Sequence, residues 1–319
     1  MQNIRVDRFD GRIVALAADH ESGASDILAR AITILREALA DPSTPLIVIA
    51  ARLCAAQPGM APLWNAAATA LAARESGDSE RFERFAARVR RAPDALARFA
   101  IETLCPDSGF AESASRLTPL RIVTASNSGS VGAVLEVLSQ VVALRVACAE
   151  GRPVLEGRLL AARLAAAGAQ VDFFTDAAVG QALGAADAVL IGADAVAPEW
   201  FLNKAGTRLL ASAAQLQSVP VYVVAGRDKF ASHALAERLV PREGPIAEVW
   251  GTAPGGVTVR NPYFERVPLD LVAGVISDVG LLGPAMVVEA CAALGQELPP
   301  SLFQELVRTR GAVPPSRLS

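Results

Sequence analysis

Apolar positions recur at helical spacing through the first third of the chain, then gather into short runs separated by amphipathic stretches. Ile27, Leu28, Ala31, Ile32 and Leu35 form one stripe, with Ser25 placed to cap its helix. Residues 46–54 and the run after Pro62 predict two more helices. Phe82, Phe85 and Val89 share a stripe in 80–91, where Glu80 and Glu83 among the arginines mark a solvated face. Pro93 should interrupt that helix, with further helical pattern through Leu96 and Ala100. A turn-rich break follows over 105–110 and Thr118-Pro119. Beyond it the predicted strands are 121–125, 144–149, 171–175, 188–191 and 221–225. The predicted helices between them are 131–141, 155–166, 179–183 and 203–215. Strands alternating with helices imply a parallel sheet with right-handed crossovers. The expected fold class is α/β: a helical domain at 1–117, then a Rossmann-like parallel-sheet domain at 118–319.

Composition narrows the function. The 319 residues are 52% hydrophobic and carry a formal net charge of −3, with 30 Lys and Arg against 33 Asp and Glu. That describes a globular chain without the basic footprint of a nucleic-acid binder. No apolar run approaches the ~20 residues of a membrane span, and the N-terminus lacks the order of a signal peptide. A cytoplasmic location is expected, with neither membrane nor direct nucleic acid as a partner. Cys54, Cys105, Cys148 and Cys291 lie far apart with no CxxC pair, and read as reduced, buried thiols. The two histidines, His20 and His233, belong to no recognisable site, and there is no GxSxG elbow. No metal and no cofactor is expected.

The candidate chemistry lies at the predicted strand ends, where ligands collect in open α/β sheets. The first strand runs into Ser126-Asn127-Ser128-Gly129-Ser130 before a helix. Free N–H groups and hydroxyls there suit an anion, although Ser128 or Ser130 capping the helix explains the segment equally well. Arg152 follows the second strand and could fork onto a phosphate, although a surface salt bridge explains it about as well. Asp176 follows the third, as the cap of a short helix. Asp194 closes the fourth, where burial would raise its pKa toward the range useful for proton transfer. Asn203 and Lys204 open the next helix and Lys229 follows the fifth strand. Together these side chains suggest a site for a small phosphorylated molecule.

Gly192-Ala193-Asp194 followed by Asn203-Lys204-Ala205-Gly206-Thr207 resembles the GAD…NKxGT signature of one superfamily. That superfamily joins the α, β and δ subunits of translation initiation factor 2B to two isomerases. Their substrates are 5-methylthioribose 1-phosphate and ribose 1,5-bisphosphate. Further segments resemble its motifs in order: the run from Glu150 through Arg158, Thr175-Asp176, Asp228-Lys229-Phe230, the run from Val259 through Glu265, and that from Ile276 through Gly280. The match covers about 120–285. The resemblance implies a helical domain on a Rossmann-like domain, a homodimer or larger homo-oligomer, and a sugar-phosphate site. By motif position Asp194 is the acid/base. Asn127, Ser128, Ser130, Arg152, Asn203, Lys204 and Lys229 lie on the phosphate side. The isomerases pair that aspartate with a cysteine to move hydrogen between C1 and C2. Here Ser126 stands in the cysteine's place, and the N-terminal Arg-Gly-Ala loop reads Ser22-Gly23-Ala24, with Gly23 as a binding candidate.

Three functions follow, the most general being a Rossmann-like domain with a different small-molecule reaction. The first is aldose–ketose isomerisation of a phosphorylated pentose, with Asp194 as acid/base and Ser126 as a weak hydroxyl partner. The second is a non-catalytic sugar-phosphate-binding subunit similar to the initiation factor 2B subunits.

Overall fold

The first hundred residues fold into helices α1 (Gln2–Ala18), α2 (Ala24–Ala40), α3 (Leu46–Ala56), α4 (Ala61–Ser76) and α5 (Ser79–Leu104). The computed structural model describes residues 2–19, 22–106, 118–241 and 243–312. His20 and most of the predicted 105–110 turn lie outside the described residues. Helix α2 begins one residue before Ser25, with Gly23 at its N-cap and no side-chain cap. Ala61 through Ala73 of α4 are all buried. The many alanines let neighbouring helices approach this central helix from every side.

Pro93 does not interrupt α5, which runs unbroken through it. Proline inside a helix costs about 3 kcal/mol, but the helix is gripped on both sides of it. Phe82, Phe85 and Ala86 are buried before Pro93, and Leu96, Ala97, Ala100 and Ile101 after it. The first group packs in the helical layer and the second against the sheet.

The sheet-bearing part runs β1 (Leu120–Ala125), α6 (Gly129–Val141), β2 (Leu144–Ala149), α7 (Gly157–Ala166) and β3 (Gln170–Phe174). After a 3-10 turn at Val179–Ala185 come β4 (Ala188–Ile191), β5 (Ala195–Val196), β6 (Trp200–Lys204), α8 (Thr207–Leu216) and β7 (Val221–Val224). Short helices α9 (His233–Ala236) and α10 (Ala247–Trp250) precede β8 (Phe264–Pro268), β9 (Gly274–Ser277), β10 (Gly280–Leu282), α11 (Pro284–Glu297) and α12 (Pro300–Ala312). Seven strands form one sheet in the order β10-β9-β7-β4-β1-β2-β3, parallel except for β10. The expected α/β class holds. Chain direction across the sheet reverses between β1 and β4, so their carboxyl ends flank a switch-point crevice. Two apolar clusters pack on the two faces of this sheet, and α12 packs back onto α3 and α4.

One predicted element is wrong in kind. Asn203 and Lys204 do not open a helix; they end strand β6, and α8 starts at Thr207. The bulky run Trp200-Phe201-Leu202 favours an extended chain, and β6 is held between β5 and β8 in a separate antiparallel sheet. Gly206, at φ 100°, makes the left-handed turn into α8.

Candidate functional site

Each strand end at the switch point contributes through a locally determined turn. After β1 the backbone passes through Ser126 at φ 67°, a left-handed conformation unusual for a residue with a side chain. The chain then enters α6, where Ser128 caps the helix by accepting from the Val131 N–H. Gly192, after β4, has no alternative residue. A Cβ there would lie 2.3 Å from Ser128 Oγ. Its missing side chain lets the two strand ends close on each other and brings Asp194 beside the Ser126–Ser128 turn.

Asp194 is held from two directions. Its N–H donates to the Leu202 carbonyl and its own carbonyl accepts from Ala61 N–H at the start of α4. Asn203 Nδ2 donates to Thr207 Oγ1 at 2.9 Å, and Thr207 Oγ1 donates to the Lys204 carbonyl at 2.7 Å. The turn carrying Lys204 is therefore closed by its own side chains. Glu265 on β8 accepts from Gly206 N–H and Arg208 N–H, satisfying the first turn of α8. Lys229 sits in the 3-10 turn Arg227–Lys229, which is fixed by Asp278 and by Asn65 of α4.

These elements close around a cleft of about 60 Å³ lined by Gly23, Met60, Ser126, Asn127, Ser128, Glu156, Asp194, Asn203, Lys204, Lys229 and Tyr263 among others. A larger, mostly apolar hollow of about 470 Å³ adjoins it and shares Ser126 and Lys204 as wall. Of the residues expected from sequence, Gly23, Ser126, Asn127, Ser128, Asp194, Asn203, Lys204 and Lys229 line the cleft. Ser130 reaches it through Lys229, whose Nζ donates to Ser130 Oγ at 3.2 Å. Arg152 does not join them. It is exposed and lines neither space. Asp176 is not a helix cap. Its carboxylate accepts from the N–H groups of Gly151 and Arg152, tying down the turn after β2.

Asp194, Glu156, Lys204 and Lys229 are all buried, each less than a tenth exposed. Burial pushes the Asp194 carboxyl up to about 6, against the pull of Lys229 and then Lys204. Lys204 Nζ pairs with Glu156 Oε1 at 2.9 Å and lies 5.0 Å from the centroid of the Tyr263 ring. The same Glu156 Oε1 accepts from Ser126 Oγ at 2.8 Å. Glu156 Oε2 is buried with no hydrogen-bond partner, an arrangement that costs about 1–3 kcal/mol.

Glu156 and Tyr263 went unassigned in the sequence. β1 and β2 pair in parallel with Ala125 opposite Ala149, and the turn after β2 brings Glu156 back onto Ser126, a meeting that only the fold creates. Cys148 cannot stand in for the absent thiol. It is buried beneath the carbonyls of Ala149 and Gly157, and burial pushes its pKa to about 12.

The sequence profile of the initiation factor 2 subunit family matches residues 20–284. The chain belongs to this family. Among its relatives, the ribose 1,5-bisphosphate isomerase of Archaeoglobus fulgidus is 35% identical over 150 residues, 45% of this chain and 47% of that protein. The methylthioribose-1-phosphate isomerase of Rhodopirellula baltica is 36% identical over 165 residues, 48% of this chain and 46% of that one. The matched region thus spans about half the length of these curated relatives. In fold, the chain is similar to translation initiation factor eIF-2B of Pyrococcus horikoshii, at TM-score 0.71 and 23% identity over 88% of this chain and 98% of that one. A methylthioribose-1-phosphate isomerase from the same organism superposes at TM-score 0.61 and 21% identity, over 90% and 87%. Among the described residues no helix is long and apolar enough to cross a membrane, and no cluster of metal-ligating side chains occurs.

Proposed function

We propose that this member of the initiation factor 2 subunit family binds a phosphorylated pentose at the switch-point cleft and isomerises it between aldose and ketose forms. The observation that carries the reading is the meeting of Lys204, Lys229 and Asp194, from three separate strand ends, in one buried cleft. Two ammonium groups and the serine hydroxyls suit the phosphoryl group. A carboxyl near pH 6 suits the carbon proton, because a base works best close to ambient pH. The cleft alone is too small for a sugar phosphate, and the adjoining hollow supplies the remaining room along Ser126 and Lys204. Relatives named as isomerases of methylthioribose 1-phosphate and ribose 1,5-bisphosphate support the substrate class. A fold neighbour solved as a tetrameric complex of two β and two δ subunits supports an oligomeric assembly for this chain.

A second reading, a sugar-phosphate-binding regulatory subunit, is favoured by Ser126 at the cysteine's position and by the absence of any thiol lining the cleft among the described residues. A thermal-shift series with both sugar phosphates, followed by product analysis, separates the two. The isomerase reading expects stabilisation and conversion by the wild type. Asp194→Asn then loses turnover with affinity within about tenfold, ~1.4 kcal/mol, and Lys204→Ala loses the stabilisation. Stabilisation without conversion supports the regulatory subunit. Neither effect removes both.

A further inference from the structure

Ser126 is a poor proton-transfer group by itself, because an aliphatic hydroxyl does not ionise near neutral pH and needs a neighbouring base. The structure supplies one. Ser126 Oγ donates to Glu156 Oε1 at 2.8 Å, and that oxygen is held from a second side by Lys204 Nζ at 2.9 Å. Ser126 and Lys204 line both the cleft and the adjoining hollow. Glu156 lines the cleft, and its second oxygen is buried and unpartnered. A carboxylate kept only for structure would be expected to satisfy both oxygens. Ser126 meets that carboxylate from a left-handed backbone conformation, uncommon for a residue with a side chain. Gly151 completes the fit. It sits at φ 76°, and a Cβ there would stand 2.9 Å from the Glu156 carboxyl carbon.

We infer, resting on the isomerase reading above, that Ser126 exchanges a proton with a sugar hydroxyl and that Glu156, fixed by Lys204, accepts the serine's own proton. This relay occupies the place of the missing thiol. In an aldose–ketose isomerisation the C2 hydrogen ends on C1, and the C2 hydroxyl proton must leave as the ketone forms. From an enol with a C1–C2 double bond, the O2–H bond breaks. Its proton goes to Ser126 Oγ while the proton of Ser126 goes to Glu156 Oε1. The electron pair left on O2 becomes the carbonyl π bond, and the C1–C2 π pair takes up the proton held by Asp194. One negative charge thereby moves from Glu156 to Asp194. Lys204 pairs with the first and its charge acts on the second, so it balances both states. As the next sugar ring opens, Glu156 returns its proton through Ser126 to the oxygen set free. Asp194 takes the C2 proton, and both groups are restored. Ser126 and Asp194 are the catalytic residues of this scheme, and Glu156 is a positioning residue that acts through Ser126.

The test uses the full chain as wild type, Ser126→Ala, Glu156→Gln and the double variant Ser126→Cys with Glu156→Gln. Conversion of ribose 1,5-bisphosphate and 5-methylthioribose 1-phosphate is followed by phosphorus NMR, and affinity for inorganic phosphate by calorimetry. Glu156→Gln should lower kcat about 100-fold, the scale of lost general acid–base assistance, yet bind phosphate more tightly because Lys204 loses its internal partner. Ser126→Ala should lower kcat equally without tightening phosphate. The double variant should recover to within about tenfold of wild type, because a thiol with pKa ~8.5 releases its proton without the glutamate. A wild type that converts either sugar while folded Glu156→Gln stays within about threefold overturns the relay and spares the isomerase reading. Parallel loss of kcat and phosphate affinity in Glu156→Gln assigns it a structural role and also overturns the relay. If Glu156→Gln does not fold, Ser126→Ala decides: kcat within about threefold of wild type overturns the relay. A wild type that converts neither sugar overturns the relay and the isomerase reading together.

Discussion

Burial of the Asp194 carboxyl gives the stability of this fold a dependence on pH. Folded Asp194 keeps its proton up to about pH 6, whereas an unfolded aspartate has lost it near 3.8. Between those values the folded state binds more protons, so stability falls as pH rises through that window, and the full penalty is present above about pH 6. Asp194→Asn should therefore stabilise the fold by roughly 2–3 kcal/mol at pH 7 and by little at pH 4, as read from urea denaturation at the two pH values. An unchanged difference across that range would show that burial does not raise this carboxyl. The place of Asp194 was legible in the sequence, because an aspartate ending an apolar strand is a local pattern. The partners of Ser126 were not. Its glutamate lies thirty positions away, and only the parallel register of β1 and β2 makes them neighbours.

At the scale of elements, the alternation of apolar runs carried the five predicted strands and their parallel arrangement, since the runs are short and bounded by turn residues. It failed where tertiary packing overrides local preference. β6 reads as the start of a helix because Asn203 and Lys204 precede an alanine-rich amphipathic stretch. The antiparallel partners β5 and β8 hold it extended instead, and β8 lies sixty residues downstream. α5 is the converse, one helix where the sequence suggested two. Its continuity is maintained by buried contacts on either side of Pro93. Pro93→Ala should restore the missing backbone donor without disturbing those contacts. Its expected effect is stabilisation by about 1–3 kcal/mol, measured as a higher urea midpoint at constant slope. A lower midpoint would mean that the Pro93 ring itself contributes to the packing of α5.

Across the whole molecule, the helical layer is part of the site and not merely beside it. Asn65, buried in α4, donates through Nδ2 to the carbonyls of Asp228 and Phe230, both at 2.8 Å, on either side of Lys229. Ala61 holds the carbonyl of Asp194 from the same helix. Asn65→Ala should cost about 1–3 kcal/mol by leaving two carbonyls unpaired. It should also weaken sugar-phosphate affinity, whereas a purely structural contact would lower the melting temperature alone. Sequence could not show this coupling, because Asn65 sits in an otherwise alanine-rich helix with no motif around it. The four buried ionic groups of the cleft have a last consequence. Lys204 is already held by Glu156, so an arriving phosphate dianion must compete with an internal carboxylate for that cation. Capture is then an exchange of one anion for another, and mild acidity, which discharges Asp194 below about pH 6, lowers the opposing charge.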